Sequence, residues 1–316
     1  KKQINYKNAW LELYDFPVLY FPKFFHPDPT VMRQSGFLKP EFGSSNNLGS
    51  SIYTPYFLSI SNDKDLTIKP RLFDTDKFLI QNEYRQKTKN SLTIVDFGFL
   101  NGHKSGDQDK GVNRSHLFTN TLIDLSLDKF NKSMLQINFQ KTSNDNYLKL
   151  FNLPSPLPLN NSVLESKIEL DLGHDKYDLI TSFEMYETLS GSNSDRYQYV
   201  LPNYNFSRNF NLAKLPGWFN FNSSGNNMLN NTNVFTSSII NDVNYSALSN
   251  IFDNGIRTNF DILLKNINSI GRNSTTYKNS PQSELMSSYI YNASLPLSKK
   301  TPRTFNTLEP KLSLRF

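Results

Sequence analysis

The sequence predicts an all-β chain: a small β-structure at the start, then a large antiparallel β-barrel of the membrane-spanning kind. Three observations carry this reading. Apolar and polar residues alternate with a period of two over segments of about ten residues, and the pattern recurs along the chain. The composition is polar on average, with 37% hydrophobic residues and a mean hydropathy of −0.53, yet it includes 25 Phe and 16 Tyr. Strands that turn one face to lipid and the other to a wet lumen produce this combination. Finally, the connections come in two sizes, short polar turns and long irregular loops, as expected where turns lie on one side of a membrane and loops on the other.

Taken in order, residues 4–13 (INYKNAWLEL) read as a weakly alternating strand, and Asp15-Phe16-Pro17 as a turn. Val18–Phe25 reads as a second strand, at an edge or bent, because Pro22 cannot donate a ladder hydrogen bond. His26-Pro27-Asp28-Pro29 is expected to break regular structure and to mark the domain boundary. Residues 1–32 are therefore set apart from a barrel domain over 33–316. The barrel opens with a tight turn at Arg33–Gly36, and Pro40 and Pro55 fall in its first two strands.

Further strands follow. In Lys64–Asp74, Leu66, Ile68, Pro70 and Leu72 oppose Thr67, Lys69 and Arg71. Leu92–Leu100 changes phase near Ile94-Val95, which predicts a bulge. Leu117–Leu127, Leu135–Phe139 and Tyr177–Met185 alternate, and Val163–Asp171 does so most cleanly. Thr307–Phe316 reads as one more strand. Short turns are expected at Ser61–Asp63, Lys87–Asn90, Asp128–Asn131 and Gly173–Asp175, and long loops at 101–113, 143–161 and 210–233. Val234–Asn250 alternates poorly. The same alternation would suit a soluble β-protein with one packed face. The strands here exceed the usual five or six residues, and their apolar faces carry aromatic and Thr residues near the ends.

Several kinds of chemistry find no support. The four histidines, His26, His103, His116 and His174, are not at metal-ligand spacing, and no HExxH, GxSxG or phosphate-binding glycine loop occurs. Gly106–Gly111 has the wrong glycine position for a calcium loop and no distal Glu. Glu165, Glu169 and Asp171 surround Lys167 on one strand face and read as a solvated wall. The chain has no cysteine, so it holds no disulfide or thiolate metal site. A net charge of +6 is scattered among acidic residues, which argues against nucleic acid. No catalytic set, metal or cofactor is expected. The chain opens on Lys1-Lys2-Gln3 and ends on Leu314-Arg315-Phe316 in mid-pattern, which reads as an internal piece of a longer protein.

Specific words then point to a family. They are Pro17–Pro22 (PVLYFP), Arg33–Pro40 (RQSGFLKP), Tyr53–Phe57 (YTPYF), Asp65–Arg71 (DLTIKPR), Asn82–Arg85 (NEYR) and Thr307–Pro310 (TLEP). In content, order and spacing they resemble the LptD family of outer-membrane lipopolysaccharide-assembly proteins, also called the organic solvent tolerance family. The resemblance implies the end of a periplasmic jellyroll followed by roughly the first half of a large barrel, in the Gram-negative outer membrane. It implies transport and insertion of lipopolysaccharide through a lateral gate, without enzymatic chemistry. The implied partners are lipopolysaccharide, the plug lipoprotein LptE, the periplasmic bridge protein LptA and the barrel-assembly machinery. Carried onto this sequence, the gate falls on Phe37, Leu38, Pro40 and Pro55. A lipid path at the jellyroll–barrel junction falls on Tyr20, Phe21, Phe24 and Phe25. Lys69 and Arg71 become lumen contacts for lipid phosphate. The rival readings are a generic outer-membrane porin or channel and a secreted β-rich protein.

Overall fold

The computed structural model describes all residues except 1–2, 29, 32, 46–48, 75–76, 104–111, 152–154, 158–159, 161, 191–194, 213 and 232. It is built almost wholly of antiparallel strands and divides into two compact units, Lys1–Leu117 and Phe118–Phe316.

The first unit begins with a two-stranded hairpin of β1 (Gln3–Leu13) and β2 (Phe16–Pro27). Its turn is Tyr14-Asp15, both at positive φ, so Phe16 and Pro17 already belong to β2 rather than to the turn. β2 also runs through His26 and Pro27, where a break was expected. Residues before a proline are pushed toward extended backbone, which a strand accommodates. β2 pairs only with β1 among the described residues, which suits the missing N–H of Pro22.

The main sheet of this unit starts with a strand split into β3 (Gly36–Phe37) and β4 (Glu41–Ser45). The second is split into β5 (Gly49–Tyr53) and β6 (Tyr56–Ser61). Then come β7 (Lys64–Phe73), β8 (Phe78–Lys87) and β9 (Ser91–His103), each antiparallel to the one before. The tight turn expected at Arg33–Gly36 is absent. Arg33–Ser35 run without a turn because Arg33 donates to the Asn62 carbonyl (2.9 Å) and the Ser59 N–H donates to Ser35 Oγ (2.9 Å). The bulge expected at Ile94-Val95 is also absent, since β8 and β9 keep one register from Phe78↔Asn101 to Lys87↔Leu92. The change of phase arises because Leu92 and Ile94 share a face with Asp96.

β10 (Val112–Asp124) contributes to both units. In the second unit, β11 (Lys132–Thr142) leads to one helical turn, α1 (Tyr147–Phe151), within the expected loop 143–161. A meander follows: β12 (Val163–His174), β13 (Tyr177–Thr188), β14 (Tyr197–Leu212), β15 (Leu215–Asn230) and β16 (Val234–Ala247). Short β17 (Asn250–Ile251) and long β18 (Arg257–Arg272) come next, then β19 (Gln282–Ser294). β20 (Leu297–Lys300) and β21 (Phe305–Leu308) form a separate hairpin, and β22 (Lys311–Arg315) returns to pair with β19. The single strand expected over Thr307–Phe316 is thus cut at Glu309-Pro310.

The long loop expected at 210–233 is instead the hairpin of β14 and β15. From Asn222 to Asn230 both faces of β15 carry Asn or Ser, so alternation fades there. Cross-strand amides hold it in place. Asn220 donates to Asn209 (2.7 Å), and Asn241 of β16 accepts from Ser223 (2.8 Å) and donates to Asn266 (3.3 Å). The same amide rungs explain why Val234–Asn250 alternates poorly yet forms β16. Strands of 10 to 16 residues equal or exceed what a tilted strand needs to cross a bilayer.

Candidate functional site

Pro40 and Pro55 do not sit inside strands as expected. Each marks the break that divides one. Leu38–Pro40 separate β3 from β4, and Thr54-Pro55 separate β5 from β6. The two breaks face each other, since the Leu38 N–H donates to the Pro55 carbonyl at 2.8 Å. In an antiparallel ladder such a pair exchanges two bonds. Pro55 has no N–H, so the return bond to the Leu38 carbonyl is missing. The first strand also slips by one residue here, from Phe37↔Tyr56 to Glu41↔Tyr53, which is the signature of a bulge. Phe37 and Leu38 are exposed beside the break, and the Phe37 ring meets Tyr56 edge-on with centroids 5.0 Å apart.

Over much of β7, β8 and β9 the faces are the reverse of a soluble sheet, although Phe73, Leu79 and Leu100 at one end of these strands are buried. Asp65 (4% exposed), Thr67, Lys69, Gln81 and Asp96 (0%) are buried, whereas Leu72 (53%), Phe97 (42%) and Phe99 are exposed. The buried polar groups satisfy one another. Asp65 accepts from Arg85 (2.9 Å) and forms an ion pair with Arg33. Lys69 Nζ donates to Glu83 Oε2 at 2.6 Å. Gln81 donates to both oxygens of Asp96 (3.0 and 3.1 Å), and His116 Nε2 lies 3.2 Å from Asp96 Oδ1. Arg71 reaches past the neighbouring strand: its Nε donates to Ser51 Oγ on β5 (3.0 Å), and its Nη2 would lie 2.8 Å from a Cβ at Gly43 on β4. Glycine at position 43 leaves room for this guanidinium. Lys69 and Arg71 thus lie on one face, each held by a polar partner.

The β1–β2 hairpin presents aromatics on both faces. Register pairs Tyr6 with Phe24 and Trp10 with Tyr20, so Tyr20 and Phe24 share a face with Tyr6 and Trp10. The Trp10 and Tyr20 rings lie 4.7 Å apart, and Tyr20 Oη donates to Asn8 (2.7 Å). Phe21 and Phe25 alternate to the other face, although the Phe21 ring still approaches Phe24 at 5.8 Å. Tyr20, Phe24 and Phe25 are exposed and Phe21 is half-buried.

Sequence reasoning missed the clamp of Arg33 and Arg85 on Asp65, the Lys69–Glu83 pair and the Gln81–Asp96–His116 group. Period two places Asp65, Lys69, Glu83 and Arg85 on polar faces. The pairing also needs the register across the β7–β8 turn, which runs Lys64↔Gln86 to Leu72↔Phe78. The Gly106–Gly111 stretch and the His103 side chain lie outside the described residues.

No family model matches this sequence. Curated proteins do. The chain is 36% identical over 110 residues to LPS-assembly protein LptD of Pseudomonas aeruginosa (strain UCBPP-PA14), covering 34% of this chain and 12% of that protein. It is 39% identical over 94 residues to LptD of Pseudomonas entomophila (strain L48), covering 30% of this chain and 10% of the relative. It is 38% identical over 104 residues to LptD of Pseudoalteromonas translucida (strain TAC 125), covering 33% and 14%. The matched stretch therefore spans only about an eighth of the length of these relatives. The resemblance to the LptD family that the motifs carry is thus shown by sequence similarity to several of its curated members over about a third of this chain.

Proposed function

We propose that this chain serves lipopolysaccharide assembly at the outer membrane, as the names of its relatives suggest, and that residues 33–316 cross that membrane as strands of a large barrel. The reversed faces of β7–β9 support the membrane reading. Exposed Leu72, Phe97 and Phe99 would cost solvation in water and cost nothing against lipid tails, while Asp65, Lys69 and Asp96 keep polar partners on the other side. The observation that carries the lateral gate is the facing pair of proline breaks at Leu38–Pro40 and Thr54-Pro55, where a ladder bond is absent by covalent structure. A sheet weakened there opens between strands at lower cost than a fully bonded one.

In this reading residues 1–32 are the end of a periplasmic jellyroll. Tyr20, Phe21, Phe24 and Phe25 deliver acyl chains toward Phe37, Leu38, Pro40 and Pro55. Lys69 and Arg71 face the lipid phosphates. For such a contact Lys69 must exchange its bond to Glu83, and Arg71 its bond to Ser51. LptE as plug, LptA as donor on the periplasmic side and the barrel-assembly machinery as folding catalyst complete the set of partners. The role is transport, without bond chemistry in this chain.

The test is site-specific photocrosslinking in living cells that carry the full-length protein. Photoreactive residues at 20, 21, 24, 25, 37 and 38 should capture lipopolysaccharide, and one at Phe219 should not. If no position along the path captures it while export proceeds, the gate reading is wrong.

A further inference from the structure

A third proline stands in line with the first two. Pro40 and Pro55 interrupt the first two strands, and Pro70 lies within the third, β7. The Leu38 N–H donates to the Pro55 carbonyl (2.8 Å), and the Thr54 N–H donates to the Pro70 carbonyl (3.1 Å). The second contact repeats the first one strand further in. Thr54 and Pro70 lie opposite each other in the register that runs from Tyr56↔Ile68 to Tyr53↔Arg71.

The phase of Pro70 decides its effect. A residue in a strand points its N–H and C=O to the same side. The Pro70 carbonyl receives Thr54, so its missing N–H also faces the second strand. The bond that would return to the Thr54 carbonyl cannot form. Its pairing with β8 is unaffected, because Pro70 opposite Ile80 lies in an unbroken register from Lys64↔Gln86 to Leu72↔Phe78 and points neither backbone group at β8. The second strand is therefore half-bonded at the same level on both sides: to the first through Leu38 and Pro55, and to the third through Thr54 and Pro70.

We infer that Pro70 is a positioning residue of the opening, and that the β3–β4 and β5–β6 strands move together as a two-stranded flap about the Thr54/Pro70 line rather than the first strand peeling alone. The inference rests on the proposed lateral gate. Arg71, adjacent to Pro70, bridges the same junction by its bond to Ser51 and its approach to Gly43. A side-chain strap there can keep the flap attached where the backbone ladder is thin.

The experiment replaces Pro70 by Ala, and separately by Val, in the full-length protein, with correct folding checked by heat-modifiable migration on gels. Amide hydrogen exchange of the peptide spanning 52–58 is followed in bilayers, and surface lipopolysaccharide is followed in cells. One restored ladder bond is expected to slow exchange at Thr54 by about two- to tenfold and to lower export. Unchanged exchange in both variants overturns the role of Pro70 whatever export does. Slower exchange with normal export overturns the flap. The double variant P40A/P55A separates this failure from that of the gate itself. If that variant reduces export and P70A does not, the gate stands and Pro70 is not part of it. If neither reduces export, the gate reading fails and the flap with it.

Discussion

The Leu38 N–H reaches the Pro55 carbonyl across 2.8 Å, and Pro55 has no N–H to return. One covalent feature thus removes a bond from the first strand pair at a fixed level. Replacing Pro55 by Ala restores the donor at a position whose carbonyl is already in ladder geometry. The variant is expected to strengthen the pair by about 0.5–1.5 kcal/mol and to slow exchange of the Leu38 amide in proportion. Hydrogen exchange by mass spectrometry over residues 36–40 checks it. Unchanged exchange would mean that the missing bond is compensated elsewhere.

Asp65 joins the segment before the first strand to the sheet. It is nearly fully buried and takes Arg33 from that segment and Arg85 from β8. Removing it leaves Arg33 without this carboxylate and Arg85 with Glu83 at 3.7 Å. Both arginines are more than a third solvent-exposed or close to it, which limits the penalty. Asp65→Ala is expected to destabilise the folded protein by about 1–3 kcal/mol, and Arg33→Ala by less than about 1 kcal/mol. Urea titration in bilayers measures both, and equal losses would contradict the clamp.

Lys69 and Glu83 form a largely buried ion pair, 2.6 Å apart. Breaking such a pair leaves a buried charge, whereas removing both partners does not. Lys69→Ala is expected to cost about 3 kcal/mol, and the double variant K69A/E83A clearly less. A double variant as damaging as the single one would show that the pair does not set stability.

Phe97 tests which face meets lipid. In water an exposed Phe can be replaced by Arg at little cost. On a lipid face near the bilayer midplane the same change costs about 2–4 kcal/mol. Phe97→Arg is therefore expected to lower folding stability in bilayers by that amount, with Ser91→Arg near the turn as a milder control. A loss below about 0.5 kcal/mol would place Phe97 away from lipid.

Most of the fold was legible where one face is apolar. β7, β12 and β13 follow from alternation alone, because a one-residue slip would turn Leu66 or Ile168 to the polar side. β15 and β16 were not legible, because Asn and Ser occupy both faces and register is set by amide pairs such as Asn220–Asn209, which only the folded hairpin brings together. At the site, the words around Pro40 and Pro55 were legible as a family resemblance. That the prolines interrupt strands, rather than sit within them, was not. Neither was the alignment of Pro70 with Thr54, since it depends on ladder phase and not on residue type. The ion pairs lay in plain view as residues but required the β7–β8 register to be joined.

The proposed exit for lipid lies at the proline-weakened strands. The most direct measurement is capture of lipopolysaccharide by a photocrosslinker at Leu38 in cells carrying either the natural full-length protein or its P40A/P55A variant, with surface lipopolysaccharide assayed in parallel. The expected result is capture at Leu38 in the natural protein, and reduced surface lipopolysaccharide with altered capture in the variant. Unchanged surface lipopolysaccharide and unchanged capture in a correctly folded P40A/P55A variant would contradict the claim.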